Sequence, residues 1–150
     1  MNNLTLKNKI FEKAKYLIAF FQVESKKIRY LKSIVNYFLF RAVAFPRTFI
    51  KLKGNRFLVR ENGMDIAHLS EWYEKDTTKF IVDLKPEILI DVGAHVGRYS
   101  LIIGSKGGKV VSIEPSKENF ASLKYNIKIN NLYKTVLPLN LALSNKKGFQ

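Results

Sequence analysis

The residues best suited to binding a ligand are clustered at 91–97 and at Glu114. Asp91 follows a short apolar run, and its carboxylate can accept hydrogen bonds from a ligand ammonium or fix the loop that follows. Gly93 permits a sharp turn with no Cβ in the path of a ligand, and Gly97 lets the next helix pack closely. Glu114 ends the next apolar run, 21 residues after Gly93. A carboxylate at that position can bind both hydroxyls of a ribose.

Two classes of cofactor use a strand, a glycine loop and a second acid in this way. A dinucleotide site needs G-x-G-x-x-G, because the backbone must approach a pyrophosphate at the helix N-terminus. Here His95 occupies the place of the middle glycine. The charge of Asp91 would repel a pyrophosphate and attract an ammonium. S-adenosylmethionine has a ribose, an amino group and no phosphate, so the pattern favours S-adenosylmethionine.

Around this loop the sequence alternates between strand and helix patterns. Apolar runs at 88–91, 110–113 and 136–139 predict parallel strands, the first of them buried on both faces. Periodic segments at 99–105 and from Ser116, a good N-cap, to Asn130 predict the helices between them. Pro138 interrupts the third run, so we expect that strand to be marginal or to lie at an edge of the sheet. The alternation predicts a doubly wound α/β sheet.

Other local signals are less directly tied to the cofactor loop. Gly54-Asn55 lies between two alternating runs in 48–60 and predicts a hairpin. Segment 66–73 predicts one or two helical turns, and 80–84 is an apolar run with no assigned element. We expect Asn126 and Asn130 to cap and solvate a helix end.

The segments DVGAHVGRYS, VVSIEPSKENFASLKYNIKINN and LALSNKKG resemble the FkbM-type family of S-adenosylmethionine-dependent methyltransferases. The resemblance covers about 51–150 and is strongest over 88–144. It implies a Rossmann-like class I methyltransferase fold and methyl transfer to a hydroxyl of a sugar, glycolipid or metabolite. It also implies the contacts of the cofactor: the residues that line it are Asp91, Gly93, Ala94, His95 and Gly97, Glu114 holds its ribose, and Asn140, Leu141 and Ala142 lie near its adenine.

Two features depart from the family. Arg98 stands where the family more often has an aromatic residue, and we expect it to alter the surface of the loop. The sequence ends after the third predicted strand, so the later strands and the acidic motif near the transfer site are missing. We therefore expect a truncated, inactive copy, with an excised piece of a longer protein or half of a site that another chain completes as the alternatives. The catalytic base is unknown. We expect His95 to contribute its backbone to the loop and not to act as a catalytic base.

Residues 1–47 form a basic, aromatic-rich segment in front of the predicted methyltransferase domain, which covers 48–150. Residues 1–53 contain twelve Lys and Arg residues, and their only acidic residues are Glu12 and Glu24. Helical periodicity predicts two amphipathic helices over about 8–45. The longest apolar run, 34–45, is too short to cross a bilayer, which needs roughly 20 residues. Basic and aromatic residues together favour peripheral contact with an anionic membrane over nucleic acid.

The composition excludes some other kinds of site. The chain has no cysteine and only two histidines, so disulfides and thiolate metal sites are excluded and we expect no bound metal. No signal peptide is evident, and we expect a cytoplasmic protein in peripheral contact with the membrane. The alternative function is a non-enzymatic basic module that uses residues 1–53 to bind a membrane surface or nucleic acid.

Overall fold

The computed structural model describes residues 47–61, 65–145 and Gly148. The chain divides into two compact units, the first ending at Thr77 and the second beginning at Thr78. The two helices predicted over 8–45 lie outside the described residues. The predicted boundary between 1–47 and 48–150 likewise stays a prediction.

The described part of the first unit begins with the predicted hairpin, formed by strands β1 (Thr48–Leu52) and β2 (Asn55–Val59). The strands pair antiparallel, and Leu52 lies opposite Asn55. The turn is therefore Lys53-Gly54 and not the predicted Gly54-Asn55. Both turn residues have positive φ, 49° and 84°. Two positive φ angles in a two-residue loop match the right-handed twist of a hairpin.

Beyond the hairpin, the residues described in the first unit include a short helix, α1 (Asp65–His68), where one or two helical turns were predicted over 66–73. The Asp65 carboxylate is fully buried and accepts three hydrogen bonds from Arg60, one from its N–H and two from its guanidinium. Helix α2 (Lys75–Leu84) follows, and the division between the units lies within it. It includes 80–84, to which the sequence analysis assigned no element.

The second unit contains the predicted strand–helix alternation. Its elements are β3 (Ile88–Val92), α3 (Arg98–Gly104), β4 (Lys109–Ile113), α4 (Lys117–Ile129) and β5 (Val136–Leu139). The three strands are parallel in the order β3-β4-β5, which confirms the α/β class and the edge position of β5. Ser116 caps α4 by accepting a hydrogen bond from the N–H of Asn119.

Strand β3 was predicted to be buried on both faces, and this prediction is wrong. Ile88, Ile90 and Val92 are 71%, 62% and 57% exposed, and the intervening Leu89 and Asp91 are partly buried. The strand order advances in one direction, so two right-handed crossovers place α3 and α4 on the same face of the sheet. Within 78–145 no helix covers the opposite face, to which the three exposed side chains belong.

Among the helices that the structure describes, none combines the length and the apolar character needed to span a membrane.

Candidate functional site

The loop between β3 and α3 directs its backbone N–H groups into the protein. The N–H groups of Gly93 and Ala94 both donate to the carbonyl oxygen of Ile113, at 2.8 and 3.0 Å. The N–H of His95 donates to Glu114 Oε2 at 2.8 Å. The N–H of Gly97 donates to the Ala94 carbonyl at 2.7 Å. The carboxyl end of β4 therefore holds the loop in a fixed shape.

The two glycines of this loop have different roles. Gly93 has a φ of +76°, and a Cβ at this position would meet no atom within 4 Å, so the backbone is open to a ligand. Gly97 has a φ of +94°, but a Cβ there would lie 2.6 Å from Leu123 Cδ1 and 2.7 Å from Leu101 Cδ1. Gly97 was expected to let the next helix approach the strand. The structure shows that it makes room for buried leucines of both α3 and α4.

The Glu114 carboxylate is buried and accepts three hydrogen bonds. Oε2 accepts from the N–H of His95, and Oε1 accepts from the N–H of Ser116 at 2.9 Å and from Asn119 Nδ2 at 3.3 Å. This one side chain thus joins the loop after β3 to the start of α4. Glu114 was predicted to bind a ligand, but its role in shaping its own loop was not predicted.

The Asp91 carboxylate contacts the start of α3. Its Oδ2 accepts a hydrogen bond from the N–H of Ser100 at 3.1 Å and another from the Ser100 hydroxyl at 2.5 Å. Burial raises the pKa of Asp91 above its ordinary value of 3.8. The hydrogen bonds from Ser100 oppose this rise, and the nearby charge of Glu114 adds to it.

Two asparagines fasten neighbouring parts of the site. Asn126 is fully buried, and its Nδ2 donates to the Val96 carbonyl at 2.9 Å, so the expectation that it solvates a helix end is wrong. Its position on the inner face of α4 decides this. Asn130 does cap that helix. Asn140 Nδ2 donates to the carbonyls of Glu114 and Pro115 at 2.7 and 3.1 Å, which ties the end of β5 to the end of β4.

The predicted cofactor residues thus meet at the carboxyl end of the sheet, where ligands bind in open α/β folds. Those brought together are Asp91, Gly93, Ala94, His95, Gly97, Glu114 and Asn140. Ala142 lies two residues beyond Asn140, in an exposed segment after β5. The cofactor contacts of these residues stay predictions.

Arg98 differs from the sequence-based expectation, and two serines near the loop had no predicted role. Arg98 is buried and donates to Thr78 Oγ1 at 3.1 Å, so it does not form part of the loop surface. No role was predicted for Ser100 and Ser112, although each is a small hydroxyl residue within an otherwise apolar run. That pattern could have singled them out.

No group of three or more His, Asp or Glu side chains suited to a metal ion is present in 47–61 and 65–145.

No protein-family model matches the chain, and no curated protein sequence matches it. Several solved structures do match the chain. The M. jannaschii protein TYW2 in complex with AdoMet shares 25% identity over 67% of this chain and 46% of its own, with a TM-score of 0.50.

Two further structures are similar to the chain. An M. jannaschii tRNA m1G37 methyltransferase is 24% identical over 76% of this chain and 40% of its own, with a TM-score of 0.51. A SAM-dependent methyltransferase from Agrobacterium tumefaciens is 18% identical over 63% and 32%, with a TM-score of 0.52. The chain therefore spans less than half the length of each of these proteins. The fold is Rossmann-like, that of part of an S-adenosylmethionine-dependent methyltransferase domain.

Proposed function

We propose that this chain is the cofactor-binding part of an S-adenosylmethionine-dependent methyltransferase of the FkbM type. The observation that carries the proposal is the loop after β3. It is open to a ligand over Gly93 and has the Asp91 and Glu114 carboxylates as neighbours. These groups suit a cofactor with an ammonium and a ribose. When bound, S-adenosylmethionine supplies an electrophilic methyl group, and the residues of the chain bind and orient it.

A dinucleotide fits the same loop poorly. A pyrophosphate is held by backbone N–H groups that point at it. In this loop the N–H groups of Gly93, Ala94, His95 and Gly97 all donate to acceptors of the protein. A pyrophosphate would have to displace these bonds beside two carboxylates.

The Glu114 carboxylate can still accept bonds from a ribose. A carboxylate offers about four acceptor positions, and three donors are present in the structure. One position is therefore available to a first hydroxyl. Release of the Asn119 amide, whose bond is the longest at 3.3 Å, provides the second.

Calorimetry tests this assignment. We expect S-adenosylmethionine and S-adenosylhomocysteine to bind and NAD to bind much more weakly. Glu114→Ala removes acceptors of charge-assisted bonds worth about 1.5–3 kcal/mol each, so affinity should fall at least about tenfold. Glu118→Ala, an exposed glutamate on α4, is the matched control. Equal binding of NAD, or equal affinity of the Glu114 variant, contradicts the assignment.

We propose two candidate methyl acceptors, each with different support. The resemblance of 88–144 to the FkbM type favours a hydroxyl of a sugar, glycolipid or metabolite, with the adenine near Asn140, Leu141 and Ala142. Transfer RNA is the second candidate, because one of the similar structures is a tRNA methyltransferase. Transfer of labelled methyl groups by the whole protein, to tRNA or to hydroxyl compounds, decides between them.

For the basic segment 1–47 we propose peripheral contact with an anionic membrane surface on the cytoplasmic side. The support is its charge together with its aromatic residues at helical spacing. Each Lys or Arg near such a surface contributes about 1 kcal/mol. We expect the chain to sediment with anionic but not neutral vesicles, and less at high salt. Binding to nucleic acid instead of vesicles supports the alternative of a non-enzymatic basic module.

A further inference from the structure

Three side chains from three successive elements form a buried line of hydrogen bonds beside the cofactor loop. Asp91 lies on β3, Ser100 on α3 and Ser112 on β4. The Ser100 hydroxyl is 2.5 Å from Asp91 Oδ2 and 2.6 Å from the Ser112 hydroxyl. Both serines are fully buried. The three groups therefore satisfy one another.

The direction of the protons in this line follows from its geometry. The Ser100 hydroxyl donates to the Asp91 carboxylate, which only accepts when it is ionised. A hydroxyl has one proton, so in the 2.6 Å contact the Ser112 hydroxyl donates to Ser100. The N–H of Ser100 adds a second donor to the same carboxylate oxygen.

Both bonds that Asp91 accepts thus end on Oδ2 and fix the plane of the carboxylate. We infer that Ser100 and Ser112 are positioning residues that leave Asp91 Oδ1 for the α-ammonium of the cofactor. They thereby make the site selective for adenosyl thioethers that carry an amino-acid group. This inference rests on the proposed function.

The energetics support this arrangement. Burial alone would favour the neutral form of Asp91, and the bonds from Ser100 favour its charged form. The serine line therefore stabilises the charge that an ammonium needs as its partner. An ammonium against Oδ1 would complete the neutralisation of a partly buried carboxylate.

Two ligands separate the role of the serines in positioning Asp91 from a general role in shaping the loop. S-adenosylhomocysteine has the amino-acid group, and 5′-methylthioadenosine has the same adenosyl thioether without it. We expect Ser100→Ala to weaken binding of S-adenosylhomocysteine by about three- to tenfold, the loss of one hydrogen bond. Binding of methylthioadenosine should change less than about twofold. Ser112 contacts Asp91 only through Ser100. Ser112→Ala should therefore also weaken S-adenosylhomocysteine more than methylthioadenosine, but the difference between the two losses should be smaller.

Ser122→Ala is the matched control, because this serine is also buried in a helix but donates to the Glu118 carbonyl and not to Asp91. It should leave both affinities unchanged. An equal loss of both ligands in Ser100→Ala would overturn the inference and leave the proposed function in place. Binding of neither ligand by the unmutated chain would contradict the proposed function itself. If Ser100→Ala does not fold, the ratio measured with Ser112→Ala decides.

Discussion

Gly97→Ala should destabilise the chain by about 2–6 kcal/mol, a large part of the stability of a domain. Two effects add. A φ of +94° strains any residue with a Cβ, and the new methyl group would lie 2.6 Å from Leu123 Cδ1 and 2.7 Å from Leu101 Cδ1. Both leucines are fully buried, so they cannot move into solvent. Denaturant unfolding measures the loss.

Gly107→Ala separates the two effects. Gly107 has nearly the same φ, +95°, but a Cβ there would meet no atom within 4 Å. Its alanine variant should lose only the strain energy, about 1–3 kcal/mol. The difference between the two variants then measures the packing around Gly97. Equal losses of stability in the two variants would mean that the two leucines do not restrict the size of residue 97.

Asp91→Asn should separate binding from stability. The asparagine oxygen can still accept the two hydrogen bonds from Ser100, but the charge that would bind the ligand ammonium is gone. We expect the affinity for S-adenosylhomocysteine to fall by about 10- to 150-fold, the equivalent of a charge-assisted hydrogen bond. Calorimetry at neutral pH measures this loss. An unchanged affinity would remove Asp91 from the site.

The effect of the same substitution on stability should depend on pH. Burial is the largest cause of the raised pKa of Asp91, so the folded chain holds this proton more tightly than the unfolded chain. The resulting stabilisation is present below the ordinary pKa of 3.8 and is lost as pH rises through the higher folded-state pKa. Asparagine has no such loss. Asp91→Asn should match the parent chain in acid and be more stable than it at neutral pH, as followed by unfolding at a series of pH values.

The sequence predicts the parts of the fold that depend on local signals. Glycine and asparagine punctuation located the hairpin, although the turn moved to Lys53-Gly54. Ser116 marked the start of α4 because an N-cap is a contact within four residues. The glycine loop was found because positive φ leaves a direct trace in the choice of residue.

Features that depend on packing between elements could not be predicted in the same way. The apolar residues of β3 gave no sign that α3 and α4 would lie on one face, because the direction of strand order is not encoded in a single strand. Asn126 is polar, and only its place against the Val96 carbonyl makes it a buried residue. The Glu114 carboxylate accepts hydrogen bonds in the same way from a ribose or from its own loop, so its residue type alone does not distinguish the two roles.

The hydrogen bonds of Glu114 bear on the entropy of binding. His95 has a φ of +52°, a conformation that needs support from its surroundings, and the bond from its N–H to Glu114 supplies that support in the free chain. The shape of the loop is therefore set during folding, not during association. A ligand meets a preorganised surface and loses little free energy in ordering the backbone. The affinity is therefore not lowered by the cost of ordering this loop.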